Sequence, residues 1–213
     1  DLSRFRSSSL ERDLVAMEFG LRAAIAKRWA RVPSGWLWRK FRDNRGKTVT
    51  IYYPPGHAEW TDTARRYWNG ELQGMTLIKG HAWGGATESN DIPGLGKCFF
   101  KRFSIRSLRF LHKPPRARHT VTHQNRVSNL GFDVPEVMCL MERRQMGVVV
   151  ESAVITVELK DCHSINAILN LGDGNVVRSL DEKRQLLKKL GREIGRWHAS
   201  GLFHGDMHCG NIF

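Results

Sequence analysis

Asp206 and Asn211 are of the types, and at the spacing, that could move a proton beside a bound metal ion. They lie in His204-Gly205-Asp206-Met207-His208-Cys209-Gly210-Asn211. A carboxylate next to a hydroxyl can take its proton as the oxygen attacks. A carboxamide oxygen is a hard ligand of the kind magnesium accepts. The layout H-x-D-x-x-x-x-N serves phosphoryl transfer, with the aspartate as base and the asparagine as holder of magnesium against nucleotide phosphates. His204 suits a role in orienting the loop by hydrogen bonding. His204, Asp206 and His208 also alternate, which leaves a metal site on a strand as a rival reading. The sequence supplies no clustered upstream partners for such a site.

A second candidate lies far upstream. Lys101 sits in Cys98-Phe99-Phe100-Lys101-Arg102-Phe103, an apolar run that reads as a strand. A lysine there either faces water from an edge strand or binds the α/β phosphates of a nucleotide. Arg102 beside it leaves the facing of Lys101 open. Before this strand comes Gly80-His81-Ala82-Trp83-Gly84-Gly85, whose glycines would let backbone N–H groups approach phosphate oxygens. A plain hairpin turn explains the same glycines.

These residues need elements to hold them. Residues 10–29 read as a basic amphipathic helix, with Leu10, Leu14, Met17, Leu21, Ala24 and Ile25 at three- and four-residue steps. Such a helix could lie on an anionic bilayer or pack on its own domain. Residues 36–53 suggest strands around a turn at 43–46, and a short helix fits 60–67. Strands are expected at 75–79, 97–103, 135–142 and 148–157, with a turn at 91–96. Helices are expected at 117–130, ended by Gly131, and at 164–171. Ser179-Leu180-Asp181-Glu182 is a capping box that opens a helix to about residue 200, stopped by Gly201.

The net charge of +13 implies an acidic partner: nucleotide, phosphorylated substrate, nucleic acid or anionic membrane. Between Asp91 and Asp133 there is no acidic residue but nine basic ones. That run hints at a phosphate-rich substrate or a membrane surface, or is a solvated face. Interleaved aromatics of the RNA-binding kind are not evident, so nucleic acid is not the expected partner. Cys98, Cys139, Cys162 and Cys209 are scattered, which fits reduced thiols in the cytoplasm rather than disulfides or zinc. No apolar run approaches the ~20 residues of a membrane span.

With these stretches in hand, the chain resembles the protein-kinase-like superfamily. Within it, it looks most like the bacterial lipopolysaccharide kinases that phosphorylate Kdo or heptose sugars of the inner core. The carrying stretches are the one around Lys101, Leu130-Gly131-Phe132-Asp133-Val134-Pro135, and Ile194-Gly195-Arg196-Trp197-His198-Ala199-Ser200-Gly201-Leu202-Phe203-His204-Gly205-Asp206. The resemblance covers roughly residues 75–213. Aminoglycoside phosphotransferases also use His-Gly-Asp and remain competitors.

The resemblance implies an α+β, two-lobed protein-kinase-like fold with a truncated C-terminal lobe. Residues 1–74 would be an N-terminal extension, 75–159 the small lobe, and 160–213 the first part of the large lobe. It implies ATP and Mg2+ as cofactors. Asp206 would be the base, His204 its support and Asn211 the metal ligand. Lys101, Gly80, Gly84 and Gly85 would hold phosphates, and Glu158 and Leu159 would form the hinge that pairs with adenine. The substrate would be an anionic glycolipid or sugar, met in the cytoplasm or at the inner face of the cytoplasmic membrane.

Two departures stand out. The small-lobe helix should carry a glutamate for the lysine, yet none exists between Glu88 and Glu136. His123, Gln124 or Asn125 could face Lys101 from that helix, but none supplies the negative charge. A second metal-binding aspartate is expected beyond the catalytic loop. The chain therefore reads as the front part of a longer protein, weakly active or inactive by itself. A small-molecule kinase and a non-catalytic pseudokinase on membrane or nucleic acid remain alternatives.

Overall fold

The structure, a computed structural model, describes residues 31–80, 85–104, 115–145, 148–160, 162, 165, 168 and 179–202. Within these residues it is a mixed α and β fold built on one sheet and three helices. The strands are β1 (Leu37–Arg42), β2 (Thr48–Tyr53), β3 (Thr76–Gly80), β4 (Gly85–Ile92), β5 (Gly96–Ser104), β6 (Val137–Gln145) and β7 (Val148–Val157). They form a seven-stranded antiparallel sheet in the order β1-β2-β6-β7-β5-β4-β3. The helices are α1 (Trp60–Asn69), α2 (Arg116–Asn129) and α3 (Leu180–Ala199).

Alternation explains how the sheet is covered. In β2, Val49, Ile51 and Tyr53 are buried, and the residues between them are only partly so. Those three join Cys98, Phe100, Cys139, Met141, Ala153 and Ile155 in one core. Helix α1 closes that core with Trp60, Ala64, Tyr67 and Trp68. The spacing i, i+4, i+7, i+8 is one helix face. Each large aromatic buried there contributes about 2–3 kcal/mol of apolar burial. Gly70, at φ 73, ends the helix in the left-handed conformation that costs glycine little.

The opposite sheet face carries a second core, with Val137, Leu140 and Val154 from the strands and Ala117 and Val121 from α2. Val32, Trp36, Tyr52 and Phe103 pack around it. The sheet runs without a break across residue 74, because β2 pairs directly with β6. Residues 37–69, for which the sequence offers no chemical role, thus supply two strands and one of the two covering helices.

Sequence expectation and structure differ most at β4. The 80–85 turn is expected between the strands at 75–79 and 97–103, with a further turn at 91–96. Instead, residues 85–92 form a strand of their own between β3 and β5. Its sequence, GATESNDI, lacks the apolar alternation that marks a strand. It holds its place through backbone pairing with neighbours on both sides. The expected helix at 10–29 lies outside the described residues, as does 164–171 apart from Ile165 and Ile168.

The chain divides into two compact units, Asp1–Asn129 with Asp133–Glu158, and Leu130–Phe132 with Leu159–Phe213. In the second, α3 begins as the capping box requires. Glu182 N–H donates to Ser179 Oγ at 3.2 Å, and Ser179 N–H donates to Glu182 Oε2 at 2.8 Å. Asp181 and Glu182 lie in the first turn and Arg196 and His198 in the last, which complements the helix dipole. At its end Leu202 N–H donates to the Trp197 carbonyl at 3.0 Å, and Gly201 has a φ of 69. Phe132 meets Trp197 edge to face, with centroids 5.4 Å apart, and Arg196 lies over Phe132 at 5.0 Å. This packing lies at the C-terminal end of α3.

Candidate active site

Strand β5 settles how its two adjacent cations face. Cys98 and Phe100 are fully buried on the α1 side. By the two-residue period of a strand, Arg102 shares that side. Its Nε donates to Glu151 Oε1 at 2.7 Å, its Nη1 donates to the Trp68 carbonyl at 3.2 Å, and its guanidinium lies 4.7 Å over the Trp68 ring. Arg143 also grips Glu151, at 3.0 Å. Lys101 therefore lies on the α2 face, beside Val154 of β7 and Thr87 of β4 in register.

Burial alone lowers the pKa of Lys101. Among the described residues no carboxylate pairs with it. Removing an ammonium from water without a partner is unfavourable, so the position suits an anion from beyond the described residues. Lys101 thus lies on an interior strand, partly desolvated, and not on the wet face of an edge strand.

The glycines divide. Gly85 has φ +108, and a Cβ placed there would lie 1.9 Å from the Arg102 carbonyl oxygen. Close approach of β4 to β5 explains this glycine fully. A Cβ at Gly80 would meet nothing within 4 Å, and its φ is ordinary. Gly84 lies outside the described residues. At the far end of β7, Glu158 N–H donates to the Lys97 carbonyl at 2.9 Å, and Glu158 Oε1 pairs with Lys97 Nζ at 2.9 Å. Leu159, half-buried, follows directly.

Helix α2 supplies no acid to Lys101. Gln124 Nε2 donates to the Pro135 carbonyl at 3.4 Å, and Gln124 Oε1 is buried without a partner among the described residues. His123 stacks on His119, with centroids 6.2 Å apart. The charge that does cross from α2 to the sheet is one sequence reasoning missed. Arg118 Nε donates to Glu142 Oε1 at 2.8 Å, and Arg144 reaches Glu142 Oε2 at 3.0 Å. Glu142 is wholly buried. A signal for it existed: a carboxylate that directly follows the apolar run Val137–Met141 on one strand calls for a cation.

The acid-free basic run is also partly accounted for. Lys97, Arg102 and Arg118 are engaged by Glu158, Glu151 and Glu142. Those three cations neutralise the protein's own carboxylates. Arg116 and Arg126 of α2 stay exposed.

His204, Asp206 and Asn211 lie outside the described residues, together with His208. Among the described residues no three His, Cys, Asp or Glu side chains gather as a metal site, and no helix is long and apolar enough to cross a membrane.

No curated protein and no solved structure matches the chain. A family model described as the lipopolysaccharide kinase (Kdo/WaaP) family matches residues 97–213, just over half of the 213 residues. The matched span opens on β5 and takes in both Lys101 and the His204–Asn211 stretch. The chain belongs to the lipopolysaccharide kinase (Kdo/WaaP) family.

Proposed function

We propose that this chain carries the nucleotide-binding and proton-accepting groups of an ATP-dependent phosphotransferase that acts on a sugar hydroxyl of the lipopolysaccharide inner core. One observation carries the reading. The family match spans both a half-buried strand lysine with no carboxylate partner among the described residues and the H-x-D-x-x-x-x-N stretch. In this reading the sheet with α1 and α2 is the small lobe of a two-lobed kinase-like fold, and α3 opens the large lobe.

When bound, ATP supplies the phosphoryl group and Mg2+ offsets its charge. Lys101 is the group of this chain that suits the α/β phosphates, since its ammonium is partly desolvated and has no carboxylate partner among the described residues. The Glu158 amide is already engaged by Lys97. The hinge contribution to an adenine edge then falls to the Glu158 carbonyl and the Leu159 backbone. Asp206 orients the acceptor hydroxyl and takes its proton. His204 holds the loop, and Asn211 is the metal ligand. Catalysis of this kind rests on positioning and charge neutralisation, with little covalent work for the protein. The acceptor is an anionic glycolipid or sugar, reached at the cytoplasmic membrane face.

A substrate panel tests the reading. Intact protein with ATP and Mg2+ is offered Kdo- or heptose-containing core sugars, and separately aminoglycosides. Phosphate incorporated into the core sugars alone supports it. Incorporation into aminoglycosides alone replaces it with a small-molecule kinase.

A further inference from the structure

The Arg118–Glu142 pair has the opposite polarity from the lysine–glutamate pair that the resemblance leads one to expect, because here the helix carries the cation and the sheet the carboxylate. Three observations bear on what it does. First, α2 has no acidic residue in its first turn, where Arg116 and Arg118 sit. Cations at the positive end of a helix dipole are unfavourable, so a first turn of this kind needs a carboxylate elsewhere. Second, Glu142 is 0% exposed and is held by two prongs of Arg118, Nε and Nη2, as well as by Arg144. Arg118 also lies 5.7 Å over the Tyr52 ring. Third, the register puts Glu142 on the same sheet face as Lys101. Glu142 pairs with Ser152, and Val154, two residues along β7, pairs with Lys101. Ordinary sheet spacings then separate the two by about 12 Å, too far for contact, with α2 lying on the face that carries both.

We propose that Arg118 and Glu142 are positioning residues: their ion pair seats α2 on the sheet and so maintains the desolvated setting in which Lys101 meets nucleotide phosphates. The consequence for nucleotide rests on the phosphotransferase reading; the seating of α2 does not. Removing one partner strands a buried charge. Removing both together, in Arg118→Met with Glu142→Leu, leaves a buried apolar pair that the fold can tolerate.

Two measurements on the intact protein test this. One is the midpoint, against pH, of Lys101 acylation by an amine-reactive ester, read by mass spectrometry. The other is affinity for a fluorescent ATP analogue with Mg2+. The double variant should melt within about 4 °C of the parent. Its acylation midpoint should move up toward the ordinary lysine value of 10.5 as α2 loosens and the amine becomes wetter. Its nucleotide affinity should fall at least about tenfold. An unmoved midpoint in the folded double variant overturns the proposal. Should that variant fail to fold, Arg118→Lys keeps the charge and loses the two-pronged grip, and an unmoved midpoint there overturns it equally. An intact parent protein that does not bind the analogue, with a midpoint that moves as stated, sinks the phosphotransferase reading while leaving the seating of α2 intact.

Discussion

Lys101 and Arg102 are neighbours on β5 with opposite fates. Arg102 turns to the α1 side and is satisfied by Glu151, the Trp68 carbonyl and the Trp68 ring. Lys101 turns to the α2 side and has no carboxylate among the described residues. Adjacent cations of similar length thus do different work. One stitches β5 to β7 and α1, and the other is held partly desolvated at a cost to the fold.

That cost has a sign that can be measured. Burial lowers the folded pKa of Lys101 below its unfolded value of 10.5. Between the folded and unfolded values the unfolded chain binds more protons, so stability rises with pH through that window. Below the folded value the cost is present in full. Lys101→Met removes it. The variant should melt about 2–4 °C higher near neutral pH, lose the alkaline rise in stability, and no longer bind an ATP analogue. Thermal melts across pH 7 to 11 with parallel nucleotide titrations check all three. A lower melting temperature would mean that the ammonium is stabilising where it stands.

Arg102→Met should behave in the opposite way. Glu151 is only 12% exposed in its side chain and would keep Arg143 as its remaining cation. The Trp68 carbonyl would lose a donor and its ring a stacked guanidinium. A loss of about 1–3 kcal/mol follows from the stranded polar groups. Nucleotide affinity should stay near that of the parent, since the side chain lies on the other sheet face. Urea denaturation with the same nucleotide titration separates the pair of variants.

Much of this was legible in the sequence because local rules carried it. The capping box at Ser179 fixed the start of α3, and the alternation of Val49, Ile51 and Tyr53 marked β2. Gly131, at φ 77, closes α2 as its lack of a Cβ suggests. What stayed hidden depends on pairing across long sequence distances. Strand β4 is polar, so its pattern is silent until β3 and β5 flank it. The Glu142–Arg118 contact joins residues 24 positions apart, and neither residue alone names the other. The facing of Lys101 likewise needed Glu151 and Trp68 to claim Arg102. The family resemblance was readable from the His204–Asn211 stretch, whereas the geometry of that stretch lies outside the described residues.

Gly80 and Gly85 make a paired test of the glycine-rich segment. At Gly85 an added Cβ would lie 1.9 Å from a β5 carbonyl oxygen, at a φ of +108. Backbone has to move, and β4 has to separate from β5. Gly85→Ala should cost on the order of 3 kcal/mol or more, the scale of overpacking added to backbone strain. Gly80→Ala meets open space and should change stability by less than about 0.5 kcal/mol. If Gly80 nonetheless contributes to phosphate binding through close backbone approach, its alanine variant should weaken nucleotide binding with an unchanged melting temperature. Chemical denaturation and nucleotide titration of both variants check this.

The sharpest prediction concerns Asp206 and Asn211, because the reading assigns them separable tasks. A general base acts on the acceptor hydroxyl, so losing it slows chemistry by about 10²–10⁴-fold while nucleotide still binds. A metal ligand acts on the magnesium nucleotide, so losing it weakens binding that depends on Mg2+. In the intact protein Asp206→Ala should therefore abolish detectable phosphate transfer to a core sugar and leave affinity for the ATP analogue nearly unchanged. Asn211→Ala should raise the Mg2+ concentration needed for half-maximal nucleotide binding. Single-turnover kinetics and nucleotide titrations over a range of Mg2+ concentrations distinguish the two. Retained turnover in Asp206→Ala would remove the base assignment. An unshifted Mg2+ requirement in Asn211→Ala would remove the ligand assignment, and each result would leave the other standing.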